Sequence, residues 1–358
     1  MRPIGPIRLM TNDSGSAANG SRLAAYDAGS ARSPLFDTSP TNCFNYRTNQ
    51  RQNAPIALTR TPQFMTALPQ LREELTTAAH AARIDLVGVA PVDRFESVHY
   101  RRRPEAHLPG ARAVVVLAMR YPKALWELAG RTPAESYMSM SMADSMGMRT
   151  QVCLAALDVS RVIEDHGFDA IPMPIDAYRV HPYKDIPDAW HTPFDNEVAA
   201  AAAGLGELGL HGKLITPQFG TRQQYTSVVT TAPLEPDPMY DGPELCDRCG
   251  ACSKACLMHA FNEDTVRDVA IGSRVFQVCE RDWWRCMWSQ RFHLNAEMGP
   301  KLHGLDVTVD PPDGKITDAD VKHALQVKGE QGGLQTWYTY AMRECERACV
   351  PPHLRREQ

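Results

Sequence analysis

The sequence predicts a mixed α/β (α+β) fold followed by a cysteine-rich, cluster-binding domain, and three observations predict it. Two compact apolar runs, IDLVGVA at residues 84–90 and AVVVLAM at residues 113–119, have the length and β-branched content of buried strands. Segments with apolar residues at helical spacing alternate with them. Eight of the ten cysteines crowd between Cys246 and Cys349, beyond the last of these elements. A chain of 358 residues is long enough for two domains, each with its own core.

Residues 1–58 are rich in Ser, Asn, Pro and Arg without a sustained period, so they read as a flexible leader or extended arm in which Cys43 is a bystander. From Leu68 the pattern changes: Leu68, Leu71, Leu75, Ala78 and Ala82 mark one face of a helix, with Pro69 tolerated in its first turn. The strand at 84–90 follows, then the strand at 113–119. A second helix is expected from Thr150 to His166, with Val152, Ala156, Val159 and Ile163 inward and Gly167 as its stop. Cys153 lies on it beside Leu154 and Leu157 and reads as a small buried thiol. DAIPMPI reads as a loop, the alanine run VAAAAAG as a helix, and KLITP and YTSVVTTAPL as two more strands. The α/β domain is expected over residues 59–240 and the cysteine-marked domain over 241–358. Within the latter, short helices should surround the ligands, and the acidic, Gly/Pro-rich insert at 306–320 reads as a surface loop.

Composition narrows the class. Apolar residues make up 43% and charged residues 22%, as in an ordinary globular enzyme. A formal net charge of −4 argues against a nucleic-acid partner. The longest apolar stretch is far too short for a membrane span, and the N-terminus has neither an apolar signal core nor a twin-arginine pair. These features predict a cytoplasmic protein with no membrane partner, in which cysteines bind metal rather than form disulfides.

The spacing of the cysteines carries the chemistry. A cubane 4Fe-4S cluster needs four thiolates converging on one small object, and C-x2-C steps around a turn deliver three to it. Cys246, Cys249 and Cys252 are so spaced in CDRCGACSKAC, and in two-cluster ferredoxins the next cysteine of such a run, here Cys256, ligates the second cluster. Two clusters need eight thiolates. The region supplies Cys246, Cys249, Cys252, Cys256, Cys279, Cys286, Cys345 and Cys349. The expected partition is Cys246, Cys249, Cys252 and Cys349 for one cluster, and Cys256, Cys279, Cys286 and Cys345 for the other. Zinc would ask for paired C-x2-C knuckles, which this run does not offer. Cys279 and Cys286 sit in VCERDWWRCMW, whose tryptophans read as a shield around a core.

Gly204, Gly206 and Gly209 spell GxGxxG, the mark of a dinucleotide-binding turn. The context refuses it, because the motif follows a helical alanine run rather than a strand, so these glycines end that helix and admit a backbone neighbour.

The longer stretch AAAAAGLGELGLHGKLITPQFGTRQQYTSVVTTAPLEPD, joined directly to the cysteine run, resembles the corrinoid iron-sulfur reductases, the superfamily of reductive dehalogenases and epoxyqueuosine reductases. IDLVGVAPVDRF and HLPGARAVVVLAMRYP look like the same superfamily's opening strands, so the resemblance covers roughly residues 66–352. It implies a nitroreductase-like core that binds cobalamin (a corrinoid), followed by a ferredoxin-like domain with two 4Fe-4S clusters. Electrons would pass through the clusters to cobalt. Cluster potentials range from roughly −700 to +450 mV, so a protein can set them low enough for that transfer. The resemblance also implies a corrinoid-side loop at Gly204, Leu205, Gly206, Gly209, Gly212, Thr216 and Pro217, with backbone amides holding the macrocycle. The proton donor implied is a tyrosine or aspartate before the second helix, here Tyr137 or Asp144 in YMSMSMADSMGM, a methionine-rich stretch suited to an apolar substrate. Tyr178, Tyr183 and Lys184 are further pocket candidates. Two departures stand out: Leu257 follows Cys256 where proline is usual, and Met342 replaces a cysteine of the last trio, a loss that Cys286 would make good.

Three functions follow as expectations. One is a cobalamin-dependent reductase of the reductive dehalogenase type, acting on a small organic substrate, halogenated or not, with a low-potential donor such as ferredoxin or flavodoxin. The second is an epoxyqueuosine reductase-like tRNA-modifying enzyme, and the third a non-catalytic carrier with two 4Fe-4S clusters. A homodimer is left open.

Overall fold

The computed structural model describes residues 68–128, 143–175, 194–290, 292, 294, 309–330 and 344–355. The chain divides into Met1–Thr59 and Arg60–Gln358, and every described residue belongs to the second unit. Cys43, Tyr137, Tyr178, Tyr183, Lys184 and Met342 lie outside the described residues.

Helix α1 (Leu68–Ala81) leads into β1 (Leu86–Pro91), which pairs with β2 (Ala113–Arg120). Helix α2 (Arg149–Asp165) precedes β3 (Ala170–Pro172), and the alanine-rich α3 (Asn196–Ala202) precedes a two-stranded ladder, β4 (Glu207–Leu208) with β5 (Leu214–Ile215). Strand β6 (Gln223–Thr230) completes a four-stranded sheet of order β1-β2-β6-β3, in which every pairing is antiparallel.

The sheet is covered on both faces, which explains the unbroken apolar run of β2. Val115 and Leu117 pack with Leu71, Leu75, Val152, Val159 and Ile163 of α1 and α2. Val114 and Val116 pack on the other side with the alanines of α3, Phe95 and Phe194. Each such valine removed from water contributes roughly 1.5–3 kcal/mol. The alanines allow close approach: a Cβ on Gly88 of β1 would lie 2.7 Å from the Ala203 carbonyl oxygen, so glycine is needed where the end of α3 meets the sheet. Asp195 caps α3 by accepting from the Val198 amide at 3.2 Å, and Arg102 pairs with it at 2.7 Å.

Beyond the sheet lie α4 (Ala251–Lys254), the hairpin β7 (Phe261–Ile271) and β8 (Arg274–Arg281), α5 (Trp283–Gln290), α6 (Asp318–Glu330), α7 (Glu344–Arg347) and α8 (Pro352–Arg355). Ile271, Phe276 and Val278 of the hairpin join the apolar cluster around α3. Among the described residues no helix is long and apolar enough to cross a membrane.

Four expectations need correction. DAIPMPI is not all loop, because Ala170–Pro172 pairs with β6 at the sheet edge, where a proline costs no ladder bond on its open side. The hairpin between Cys256 and Cys279 replaces the expected short helices there. Its first strand is mostly exposed and polar, so it shows no apolar alternation. Cys153 is exposed rather than buried, since the inward stripe of α2 runs through Val152, Ala155, Ala156, Val159 and Ile163, leaving Cys153, Leu154 and Leu157 on the outer side. The insert at 306–320 ends in helix, with Asp320 accepting from the Thr317 amide at 2.7 Å ahead of α6, and Ile316 is buried.

Candidate functional site

The site is built where the glycine block meets the cysteine run. Gly204 ends α3 with φ +76°; its amide donates to Ala201 O at 3.1 Å and that of Leu205 to Ala200 O at 3.1 Å, a glycine C-cap. A Cβ on Gly206 would lie 2.0 Å from Ile215 O, so only glycine lets the β4–β5 ladder close against its own backbone. Three further amides of the block are also engaged: Gly209 with Lys213 O at 2.9 Å, Gly212 with Gly209 O at 2.8 Å, and Thr216 with Gly220 O at 2.8 Å. The buried Thr216 hydroxyl donates to Gln223 Oε1 at 2.7 Å. Pro217 has no amide, and its carbonyl oxygen lies 2.7 Å from His353 Nε2. The amides of Gly204, Leu205, Gly209, Gly212 and Thr216 therefore serve the loop itself.

One amide of the block faces a cysteine. Leu210 N donates to Cys246 Sγ at 3.3 Å, while Leu210 O accepts from the Cys279 amide at 2.8 Å. Beside it Glu207, only 5% exposed, accepts from the buried Leu245 amide at 2.8 Å and pairs with Arg274 at 2.5 Å. Arg274 also donates to Tyr240 O. Charge and backbone donor thus satisfy a buried carboxylate that would otherwise be costly. Glu207, Arg274 and Cys246 line an open cleft of about 240 Å³, together with Phe276 of the hairpin.

The run then turns tightly, with Arg248 at φ +54° and Gly250 at φ +71° before α4. Cys349 comes back from the far end of the chain to join it. Burial pushes the Cys349 thiol far up, and the neighbouring Cys246, Cys252 and Cys249 push it further. Burial likewise pushes Cys252 up to about 11, with Cys246 and Cys249 adding to it. Four free thiols gathered in this way, two of them raised by burial and by their neighbours, form a donor set fit for a group carrying positive charge. Thr221 holds the returning segment by donating to Glu346 O at 2.6 Å and Cys349 O at 3.3 Å. Among the described residues no three His, Cys, Asp or Glu side chains converge as a site for a single metal ion, and a cubane is a larger object than an ion.

The other cysteines divide. Cys256 is buried in an apolar cluster with Met258, Ala260, Trp288 and Leu294, and Cys286 packs against the same cluster. Trp288 donates to Val309 O at 2.6 Å, and Trp284 stacks near Phe292, so both shield this core. Cys345 is buried on α7, which packs against α4. Cys279 has a different setting: burial raises its thiol pKa, followed by Glu263 and Cys246, which puts it beside the first group.

Asp144 lies on a wide π-type turn, Ala143–Met148, that opens α2. It is 1% exposed, accepts from the Tyr121 hydroxyl, and pairs with Arg149 at 3.3 Å. Tyr121 packs on Trp126 with ring centroids 5.2 Å apart, and Trp126 O accepts from Arg347 of α7 at 3.2 Å. A short chain of contacts thus joins Asp144 to the helix that carries Cys345.

Sequence reasoning missed Glu207, Arg274, Thr221, Tyr121 and Arg355. Arg355 forks onto Asp247 at 2.5 and 3.0 Å and reaches Cys249 Sγ at 3.2 Å. The partners of these residues are remote along the chain. Only the position of Glu207 inside the glycine block could have flagged one of them.

Comparison with known proteins gives the following relatives. The chain is 42% identical over 77 residues to an epoxyqueuosine reductase of Synechococcus sp. (strain CC9605), a match spanning 22% of this chain and 23% of that protein. It is 25% identical over 250 residues to the tetrachloroethene reductive dehalogenase of Sulfurospirillum multivorans, covering 60% and 45% of the two chains. A third relative, an epoxyqueuosine reductase of Bacillus cereus (strain ATCC 14579), is 22% identical over 212 residues and covers 52% and 50%. The chain thus matches half or less of the length of these relatives. Among solved structures, a catabolic reductive dehalogenase in complex with 3-bromo-4-hydroxybenzoic acid aligns with TM-score 0.46 and 16% identity over 78% of this chain and 38% of that one. No family model matches. The relatives are reductases of two kinds, and the resemblance carried by the glycine block and the cysteine run is to the superfamily that contains both.

Proposed function

We propose that this relative of the epoxyqueuosine reductases and reductive dehalogenases is a cobalamin-dependent oxidoreductase of the reductive dehalogenase type, with two 4Fe-4S clusters that bring electrons to a small organic substrate. The observation that carries the reading is the hydrogen bond from Leu210 N to Cys246 Sγ, which on this reading joins the corrinoid-side loop to a ligand of the first cluster. On this reading Cys246, Cys249, Cys252 and Cys349 hold that cluster. Cys256, Cys286 and Cys345 belong to the second, and Cys279, beside Cys246, completes the eight.

The residues fit a corrinoid in a different way from the amide cradle that the resemblance implies. The glycine amides named above are engaged within the chain, so the block acts as a stiff floor. Among the described residues, two buried polar atoms without a hydrogen-bond partner, Asn196 Oδ1 and Ser227 Oγ, flank residues 173–174: Asn196 Nδ2 donates to Pro174 O at 2.8 Å and Ser227 O accepts from Met173 N at 2.7 Å. An unmatched buried polar group costs about 1–3 kcal/mol, and donors of a bound group that reached these atoms after local rearrangement would relieve that cost. A bound corrinoid would supply low-valent cobalt as the reductant. On this reading Asp144, held by Tyr121 and Arg149, would manage the proton, with Tyr137 as the other candidate for that role.

A second reading, epoxyqueuosine reduction on tRNA, is favoured by the 42% identity of the shorter match. Anaerobic purification with cobalamin, iron and acid-labile sulfide analysis, followed by assay against halogenated aromatics with a low-potential reductant, tests the first reading. Binding of tRNA at moderate salt without dehalogenation would replace it with the second. A protein that took up clusters but neither corrinoid nor tRNA would refute both and leave an electron carrier.

A further inference from the structure

The last described residue reaches back to the cysteine run. Arg355 Nη2 donates to Cys249 Sγ at 3.2 Å, and the same guanidinium forks onto Asp247 at 2.5 and 3.0 Å while its Nε donates to Val350 O at 2.7 Å. Cys249 is the exposed member of the group of four, whereas Cys252 is buried and Cys246 and Cys349 are half-buried. The sulfur that water would most readily solvate is the one given a cationic donor. Arg355 itself is exposed, with 39% of its side chain accessible, so it fills no core.

We propose that Arg355 and Asp247 are a matched pair that sets the reduction potential of the cluster bound by Cys246, Cys249, Cys252 and Cys349; this rests on the cluster reading given above. One-electron reduction adds a negative charge to the cluster and its thiolates. A guanidinium that donates to a ligand sulfur stabilises that charge, and hydrogen bonds to cluster sulfurs are one of the levers that set such potentials. Asp247 opposes it electrostatically while holding the fork in place. The two residues therefore act with opposite sign on one quantity. Lysine cannot replace the arginine, because it lacks the planar fork that engages carboxylate and sulfur together.

The test is a redox titration of the full chain, assembled anaerobically and followed by electron paramagnetic resonance. Because both side chains are partly exposed, solvent screens their fields and moderate shifts are expected. In Arg355→Gln the equilibrium constant for one-electron reduction falls about three- to tenfold, which is about 28–59 mV at 59 mV per tenfold. In Asp247→Asn, which keeps an oxygen to accept the fork, it rises by a similar factor. The double variant returns to within about twofold of wild type, or about 18 mV on the same scale. A merely structural role would move both single variants in the same direction or neither, and either result overturns the proposal. If Arg355→Gln assembles poorly, the sign of the Asp247→Asn shift still decides. Wild-type protein without acid-labile sulfide would overturn the cluster reading and this inference together; a normal wild-type cluster with unmoved variants overturns this inference alone.

Discussion

Replacing Glu207 by alanine should loosen the joint between the glycine block and the cysteine run, and the structure fixes how much. The carboxylate accepts from the Leu245 amide at 2.8 Å and from Arg274 at 2.5 Å. Leu245 is buried, so its amide would lose its partner at a cost of about 1–3 kcal/mol. Arg274 keeps its bond to Tyr240 O and a third of its side chain is exposed, so its loss lies well below the 3–5 kcal/mol of a fully buried pair, at about 1 kcal/mol. The sum is about 2–4 kcal/mol for Glu207→Ala, and about half that for Glu207→Gln, which retains one acceptor oxygen. Anaerobic urea unfolding measures it. A double-mutant cycle with Arg274→Ala should return a coupling of about 1 kcal/mol, within the span usual for residues in contact. Since Leu245 precedes Cys246, the alanine variant should also lose iron from one cluster. A variant within about 0.5 kcal/mol of wild type and fully loaded with iron would refute the claim that this clamp holds the run in place.

Further tests address other parts of the site. Gly206→Ala, whose Cβ would meet Ile215 O at 2.0 Å, should cost about 3 kcal/mol or more, whereas Gly329→Ala, with open space around it in α6, should be neutral or mildly stabilising in the same unfolding assay. Cys349→Ser should halve the acid-labile sulfide, while Cys153→Ser, at an exposed site on α2, should leave it unchanged. Asp144→Asn should lower turnover by about 10²–10⁴-fold with cluster content intact if this carboxyl manages the proton; unchanged turnover would pass that role to Tyr137. Glu74, whose carboxyl is held below the usual range by His166 and then by Gln70, gives stability that is full above the unfolded carboxylate pKa and lost as pH falls through the lower folded value. The melting-temperature gap between wild type and Glu74→Gln should therefore close on acidification, and a gap that widened would refute the assignment.

The sequence was legible where one physical cause acts at short range. β2 announced itself because helices cover both faces of the sheet, so all but its last residue are buried. That same two-sided burial hides strand direction, and the sheet is antiparallel throughout. The α2 stripe was readable from its 3.6-residue period, but Cys153 was misjudged because its apolar neighbours Leu154 and Leu157 lie on the exposed side. β7 escaped notice since an exposed strand has no apolar face to alternate. Cys349 lies near enough to Cys246, Cys249 and Cys252 for their charges to act on it, a proximity that the expected grouping requires. The Glu207–Arg274 and Asp247–Arg355 pairs were not legible, because a lone charge carries no mark of a partner 67 or 108 residues away.

These pairs bear on whether the chain is a carrier or an enzyme. A carrier needs its clusters near the surface and a scaffold that holds the thiolates; both could be met by residues 241–355 alone. Here Cys246 instead takes a hydrogen bond from Leu210, and the residue before it is tied to Glu207, both in a loop that caps α3 and is packed against the sheet. From the far side Thr221, next to β6, fixes the carbonyl of Cys349. Ties from two places in the α/β unit to one four-cysteine group would be superfluous in a carrier. They make sense if electrons leaving that group must arrive at a fixed position in the α/β unit. Loosening them with Glu207→Gln and Thr221→Val in one chain that keeps its full iron content should then slow substrate reduction far more than it slows reduction of the cluster by dithionite, as followed by stopped-flow absorbance. Equal slowing of both would leave no reason to regard the α/β unit as the electrons' destination.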